Sequence, residues 1–206
     1  MKKTFILSLG TLLLGIAVSC SGSEKQPVAA NNTAAVIDNI MTRTSIRKFT
    51  DRSIPADTLE QLLKCGMAAP TAVNAQPWEF VVVTDREMLD SLNAHHPWAR
   101  LETATAAIVV CGNMERALEG PAQEYWVQDC SAATENILLA AHAYGLGAVW
   151  CGVYHGPDSD RVPEISGVLQ LPATVIPLDI ITLGFPAENP QPKDKWKPQL
   201  IHYQKW

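Results

Sequence analysis

No Cys-x-x-Cys pair occurs in this 206-residue sequence, although it carries five cysteines. A zinc site of the usual close-paired spacing is therefore not expected. Cys65, Cys111, Cys130 and Cys151 each sit in an apolar or helical context. Their even number permits disulfides, and buried free thiols are the preferred reading. Positive charge is also short: the net charge is −5, so broad attraction for nucleic acid is not expected and any anion site must be local. The apolar run over residues 4–18 is too short for a comfortable membrane span. A dinucleotide fingerprint is missing as well. Gly145-Leu146-Gly147 follows a helical pattern and precedes a strand, and that fingerprint needs the opposite order. His95 and His96 are adjacent, so in an extended segment they point apart and make a poor metal pair. What the chain does have is apolar residues, 47% against 18% charged, enough for a single folded core.

The amino terminus reads as an export signal. Lys2 and Lys3 precede the apolar run, which ends in Ala17-Val18-Ser19-Cys20. Small residues before a cysteine resemble the lipobox of bacterial lipoproteins, with Ala17 where leucine is usual. An ordinary signal peptide cut nearby, or an uncleaved anchor, is the alternative. Residues 21–35 are small and polar, a tether composition. The expected organisation is a signal peptide over 1–19, a flexible tether over 20–35 and a folded domain over 36–206. Lipidation at Cys20 would place that domain on a membrane of the cell envelope, facing out of the cytoplasm.

Periodicity predicts helices over 36–44, from Pro55 to between Gly66 and Pro70, over 85–93, over 129–144 and over 160–171. Strands are predicted over 79–84, 105–111, 147–154 and 175–183. The helix over 129–144 is apolar almost all round, so it should be central. Residues 112–126 read as an irregular insertion of the kind that covers a site. Trp98, Tyr125 and Trp126 are the aromatic candidates for such a lid, with plain core packing as the other reading. Beyond Gly184-Phe185-Pro186 the chain is an extended, proline-rich arm. It carries Lys193, Lys195 and Lys197, and an apolar end suited to docking on a second subunit.

The stretch Arg43-Thr44-Ser45-Ile46-Arg47-Lys48-Phe49 places two guanidiniums and a hydroxyl close together. Such forks of donors match phosphate oxygens; if the segment is helical, Arg43 and Arg47 share a face. Ordinary surface charge is the competing reading. The loop Ala69-Pro70-Thr71-Ala72-Val73-Asn74-Ala75-Gln76-Pro77-Trp78 offers small residues and amides toward a flat heteroaromatic ring. Gly152 lies inside a predicted strand, where glycine often marks close backbone approach to a ligand.

These four pieces, the arginine stretch, the Pro70 loop, the run from Gly145 to Gly152 and Leu183-Gly184-Phe185-Pro186 with the lysine arm, stand in the order of the FMN-dependent nitroreductase family. The chain resembles that family over residues 36–206. The resemblance implies an α+β fold with a mixed, mainly antiparallel sheet flanked by helices. It also implies a homodimer with the carboxy-terminal arm swapped onto the partner and two FMN sites at the interface. By position, Arg43, Ser45 and Arg47 would bind the FMN phosphate and ribityl chain, and Lys193 and Lys195 would complete the phosphate pocket. Pro70, Thr71, Ala72 and Asn74 would reach the flavin from the other subunit. The backbone at Cys151 and Gly152 would approach its ring near N5. The implied chemistry is ping-pong transfer of two electrons from NAD(P)H to a nitroaromatic, quinone or similar acceptor, with no obvious general acid. Same-fold alternatives are reductive dehalogenation, flavin fragmentation and a non-catalytic tethered flavoprotein.

Overall fold

The computed structural model describes residues 30–206. The signal peptide, Cys20 and the tether up to residue 29 lie outside the described residues. Helix α1 (Ala30–Thr42) opens the described chain and α2 (Ala56–Met67) follows. Then come β1 (Trp78–Val83), α3 (Arg86–His95), β2 (Ala106–Asn113), α4 (Tyr125–Ala143), β3 (Gly147–Gly152), α5 (Arg161–Leu169) and β4 (Val175–Gly184). The four strands form one sheet in the order β1-β2-β4-β3, every neighbouring pair antiparallel. Among the described residues the parallel component is a single bridge between Ser45 and Ala148.

Strand β2 is buried on both faces, and its alternation divides the core. Ala106, Ile108 and Val110 meet α2 and α4 through Leu62, Ala133 and Ile137. Ala107, Val109 and Cys111 meet Leu89, Leu92 and Ile165 of α3 and α5. The fold is thus three layers, helices over both faces of the sheet. Each fully buried aliphatic side chain contributes about 1.5–3 kcal/mol of burial. Gly66 lets α2 approach α4: a Cβ there would lie 2.9 Å from Ile137. Helix starts follow local chemistry. Pro55 precedes α2, and Asp85 caps α3 by accepting from the Met88 N–H at 2.9 Å.

Helix α1 begins six residues ahead of the expected start at Val36. From residue 32 to 38 it is exposed on all sides, so no apolar period marked its opening turns. The insertion expected over 112–126 is largely ordered differently. Gly112 and Asn113 belong to β2, residues 120–124 make a short 3-10 turn, and α4 starts at Tyr125. Trp126 is 2% exposed and packs edge-on against Tyr154, with ring centres 4.9 Å apart. It is a core residue and not a lid, because its indole fills the space left open by Gly112. Tyr125 and Trp98 remain exposed. The four cysteines among the described residues are free thiols.

Candidate active site

Two glycines seat the arginine stretch against the sheet. Gly147 and Gly184 face each other in the β3–β4 register. A Cβ on Gly147 would lie 2.6 Å from Ile46 Cγ2, and one on Gly184 would lie 2.8 Å from Phe49 Cβ. Residues 45–49 therefore cross the strand ends at a distance only glycine permits. The Ile46 N–H donates to the Ala148 carbonyl at 3.0 Å, the Thr50 N–H to Phe185 at 2.8 Å and the Ala187 N–H to Lys48 at 2.9 Å. Glu188 Oε1 accepts from the N–H groups of Arg47 and Lys48 at 2.6 and 3.2 Å. The helical arrangement considered for Arg43 and Arg47 is not the one found. Helix α1 stops at Thr42, and the segment beyond is non-helical backbone held by these sheet-like bonds. In extended chain, alternate residues share a side, which suits Arg43, Ser45 and Arg47 while Ile46 is buried beneath them.

Arg43, Ser45, Arg47, Lys193 and Lys195 line one cavity of about 610 Å³. The start of the domain and its carboxy-terminal arm thus meet at one place. Glu135 and Asp194 line it too, and Arg43 Nε lies 3.4 Å from Glu135 Oε1. Four cations face two carboxylates, a local positive surplus on a chain of negative net charge. Arg47 also lines a neighbouring hollow of about 490 Å³, with His96, Trp98, Arg100, Trp150, Cys151, Gly152 and Arg161. Strand β3 is the sheet edge here. Its Ala148 carbonyl turns outward to Ile46, so alternation turns the backbone groups of Trp150 and Gly152 outward as well. A Cβ on Gly152 would meet nothing within 4 Å. The Cys151 thiol is buried and lies 3.5 Å from the Trp98 carbonyl. Cys151 therefore offers the hollow neither its sulfur nor, by the same alternation, its N–H and carbonyl, which face β4 opposite Ile180.

Pro70, Thr71, Ala72 and Asn74 line neither space. Their loop is tied to α4, where Asp129 Oδ1 accepts from the Ala72 N–H at 2.8 Å. Val73, Asn74 and Gln76 hold left-handed backbone with φ of 45°, 61° and 50°. The Val73 side chain stands 83% exposed. Asp129 and Glu135 are six residues apart on α4, about 9 Å along its axis. The loop is thus displaced from the cation cavity of its own chain. Sequence reasoning missed Arg100 and Arg161 in the second hollow and set His96 aside. Arg100 enters through a left-handed turn, φ 58°, that a non-glycine sequence does not announce.

Comparison with known proteins identifies the family. The sequence model of the Nitroreductase family matches residues 40–96 and 94–185. The chain belongs to the nitroreductase family. A Methanothermobacter thermautotrophicus relative, provisionally named an NADH dehydrogenase/NAD(P)H nitroreductase, is 47% identical over 83% of this chain and 87% of its own. A solved Bacteroides thetaiotaomicron structure of the same provisional name is 42% identical, with a TM-score of 0.77 over 84% of this chain and 98% of that one. A nitroreductase-family structure from Desulfovibrio desulfuricans, solved in complex with FMN, is 29% identical, with a TM-score of 0.69 over 83% and 97% of the two chains.

Two buried titratable groups flank β3 in this nitroreductase-family chain. His96 is 2% exposed, and its Nε2 lies 3.0 Å from the Gly152 carbonyl. A carbonyl only accepts, so Nε2 carries the proton. Burial lowers the His96 pKa, opposed by the Gly152 bond and assisted by Arg161, so the ring is neutral near pH 7. Asp179, opposite Gly152 in the sheet register, is fully buried, and burial pushes its pKa well above the ordinary value. Among the described residues no group of His, Cys, Asp and Glu forms a metal cluster.

Proposed function

We propose that the two adjoining hollows hold one FMN and that the chain is a two-electron oxidoreductase working by a ping-pong cycle. Reduced pyridine nucleotide, or another two-electron donor where the chain stands outside the cytoplasm, reduces it, and a nitroaromatic, quinone or similar acceptor is the oxidant. The carrying observation is the convergence of Arg43, Ser45, Arg47, Lys193 and Lys195 on one cavity that continues, through Arg47, to the free edge of β3. Those donors suit a phosphate dianion, and the outward N–H of Gly152, on a residue without a side chain, suits close approach of a planar ring. Bound FMN supplies the hydride acceptor and donor; the protein supplies position and polarity. Arg43, the two lysines and Ser45 would grip the phosphate end. Arg47 and Arg100 would lie along the body of the group and favour negative charge gathering there on reduction. The exposed Trp98 would shield one side from water.

The reading extends to a homodimer and a tether. The Pro70 loop lies away from the cavity of its own chain, and the arm from Gln191 to Trp206 is exposed throughout. Both features support a second copy completing each site. Cys20, within its lipobox-like sequence, supports anchoring outside the cytoplasm, where a donor other than free NAD(P)H would be needed. The test is direct. Purified protein should be yellow, release one FMN per protomer on denaturation and sediment at twice the mass of its mature protomer. It should partition with membranes unless Cys20 is replaced by serine. Colourless protein that cannot be reconstituted with FMN would end the reading.

A further inference from the structure

The carboxy-terminal arm parts from the arginine stretch just beyond Ala187. Phe49 and Pro186 form an antiparallel bridge, flanked by the Thr50 N–H on the Phe185 carbonyl and the Ala187 N–H on the Lys48 carbonyl. The arm then turns off through Pro190 and Pro192, which have no N–H to give, to bring Lys193 and Lys195 to the cation cavity. Where the backbone pairing ends, the Glu188 side chain takes over. Its Oε1 accepts from the N–H groups of Arg47 and Lys48 at 2.6 and 3.2 Å. The Arg47 N–H belongs to the Ile46–Arg47 peptide and the Lys48 N–H to the Arg47–Lys48 peptide. One oxygen therefore fixes both peptides that flank the Arg47 Cα, and with them the two soft dihedrals that set where its side chain leaves the backbone. The core does not do this: Ile46 and Phe49 are buried, but Arg47 and Lys48 between them are exposed.

Arg47 lines the cation cavity, the hollow at the free edge of β3 and a third space of about 550 Å³. Glu188 lines that third space beside Arg47, Lys48 and Arg100. A carboxylate among three cations would ordinarily pair with one of them. Among the described residues Glu188 forms no such ion pair. Its oxygen is engaged by the backbone instead, which leaves the guanidiniums open to a ligand. We infer that Glu188 is a positioning residue: it locks the peptides on both sides of Arg47, so that the guanidinium is presented to the flavin, and ties that presentation to the root of the arm. This rests on the FMN reading above. A side chain held ready before the ligand arrives loses less freedom on binding. Loss of the acceptor should therefore weaken FMN binding only through Arg47.

The experiment uses the full chain reconstituted with FMN, its affinity read from the quenching of FMN fluorescence. Three variants separate acceptor from charge. Glu188→Ala removes both, Glu188→Gln keeps an oxygen of the same reach without charge, and Glu188→Asp keeps the charge one methylene short. Glu188→Ala and Glu188→Asp should each weaken FMN binding about tenfold, while Glu188→Gln stays within about twofold of wild type. The deciding measurement is a double-mutant cycle. In an Arg47→Ala background, Glu188→Ala should cost no more than about twofold, because the side chain it positions is gone. A residue that merely held the arm in place would give losses that multiply. Should Glu188→Ala fail to fold, Glu188→Asp carries the same comparison, alone and combined with Arg47→Ala. Multiplying losses in the double variant, Glu188→Gln as weak as Glu188→Ala, or Glu188→Asp equal to wild type overturn the inference and leave FMN binding standing. Tighter binding in Glu188→Ala and Glu188→Gln also overturns it, by showing that the carboxylate acts as a repelling charge. A wild-type protein that takes up no FMN overturns the functional reading and this inference together.

Discussion

Asp179 shows how one proton can be built into a core. Its Oδ2 lies 2.9 Å from Thr134 Oγ1, which is itself 3.0 Å from the Cys130 carbonyl. One hydroxyl hydrogen cannot serve two acceptors. A protonated carboxyl resolves this, donating to Thr134 while Thr134 donates to Cys130. Burial pushes the Asp179 pKa in the same direction, and it pushes the neighbouring Cys111 thiol up to about 12, so that sulfur stays protonated and unreactive. A carboxyl with a folded pKa above its unfolded value of 3.8 contributes fully below that value, and the contribution is lost as pH rises toward the folded pKa. Asp179→Asn removes the proton requirement while keeping a donor to Thr134. It should raise stability at pH 8 by about 1 kcal/mol, or about 2–4 °C in a chain of this size, with the gain shrinking as pH falls toward 4. Melting curves at both pH values check this; an Asn variant less stable at pH 8 would show that the carboxylate is ionised and partnered. None of this was legible in the sequence, where Asp179 sits unremarked inside an apolar strand. The basic residues stood out in the sequence as guanidiniums flanking a hydroxyl, a pattern that ordinary surface charge also produces; what the structure adds is the cavity they share with Lys193 and Lys195. Arg100 did not stand out, since its role depends on a backbone turn and not on its neighbours in sequence.

At the scale of elements, the long periodic segments announced themselves. The strand over residues 105–111 and the helix over 129–144 coincide with β2 and α4 apart from their ends. The ends moved where local composition argues against the element that tertiary packing imposes. Tyr125 and Trp126 follow a Gly-Pro turn and look like loop, yet Trp126 is drawn into the core and takes the first turn of α4 with it. The arginine stretch moved in the other direction. Its spacing is compatible with a helical turn, but hydrogen bonds to Ala148 and Phe185 hold it extended. Gly147 and Gly184 were visible as glycines, though not as a matched pair, because only the β3–β4 register sets them opposite each other. Gly147→Val should push Ile46 off the strand end, since a Cβ there already falls 2.6 Å from Ile46 Cγ2. The expected cost is about 1–3 kcal/mol of stability, with a displaced Ser45 and Arg47 and at least tenfold weaker FMN binding. Gly152→Ala makes the control, because its Cβ has open space and should leave stability nearly unchanged. Equal melting temperatures for Gly147→Val and wild type would remove the argument.

The whole molecule leaves apolar surface that a solitary chain has no use for. Val36, Ile37, Ile40 and Met41 of α1 are each about half exposed or more, and Trp196, Leu200, Tyr203 and Trp206 of the arm are each exposed by about two-thirds or more. Patches of this kind mark interaction sites in soluble domains, and a second copy with its own arm is the occupant the proposed function requires. The arm then has two separable duties. Lys193 and Lys195 line the cation cavity of their own chain, and the aromatic end beyond them would supply apolar area for the proposed association. Truncation after Leu200 removes Tyr203 and Trp206 and spares both lysines. It should loosen the dimer, with sedimentation showing monomer at micromolar concentration, and lower FMN occupancy because the partner's loop is lost. Arg47→Ala should do the reverse, lowering FMN affinity about 10–100-fold by loss of charge-assisted bonds worth about 1.5–3 kcal/mol while the dimer stays intact. If the truncated chain remains a dimer with full flavin content, the arm's end has no part in holding two protomers together, and association must rest on α1 alone.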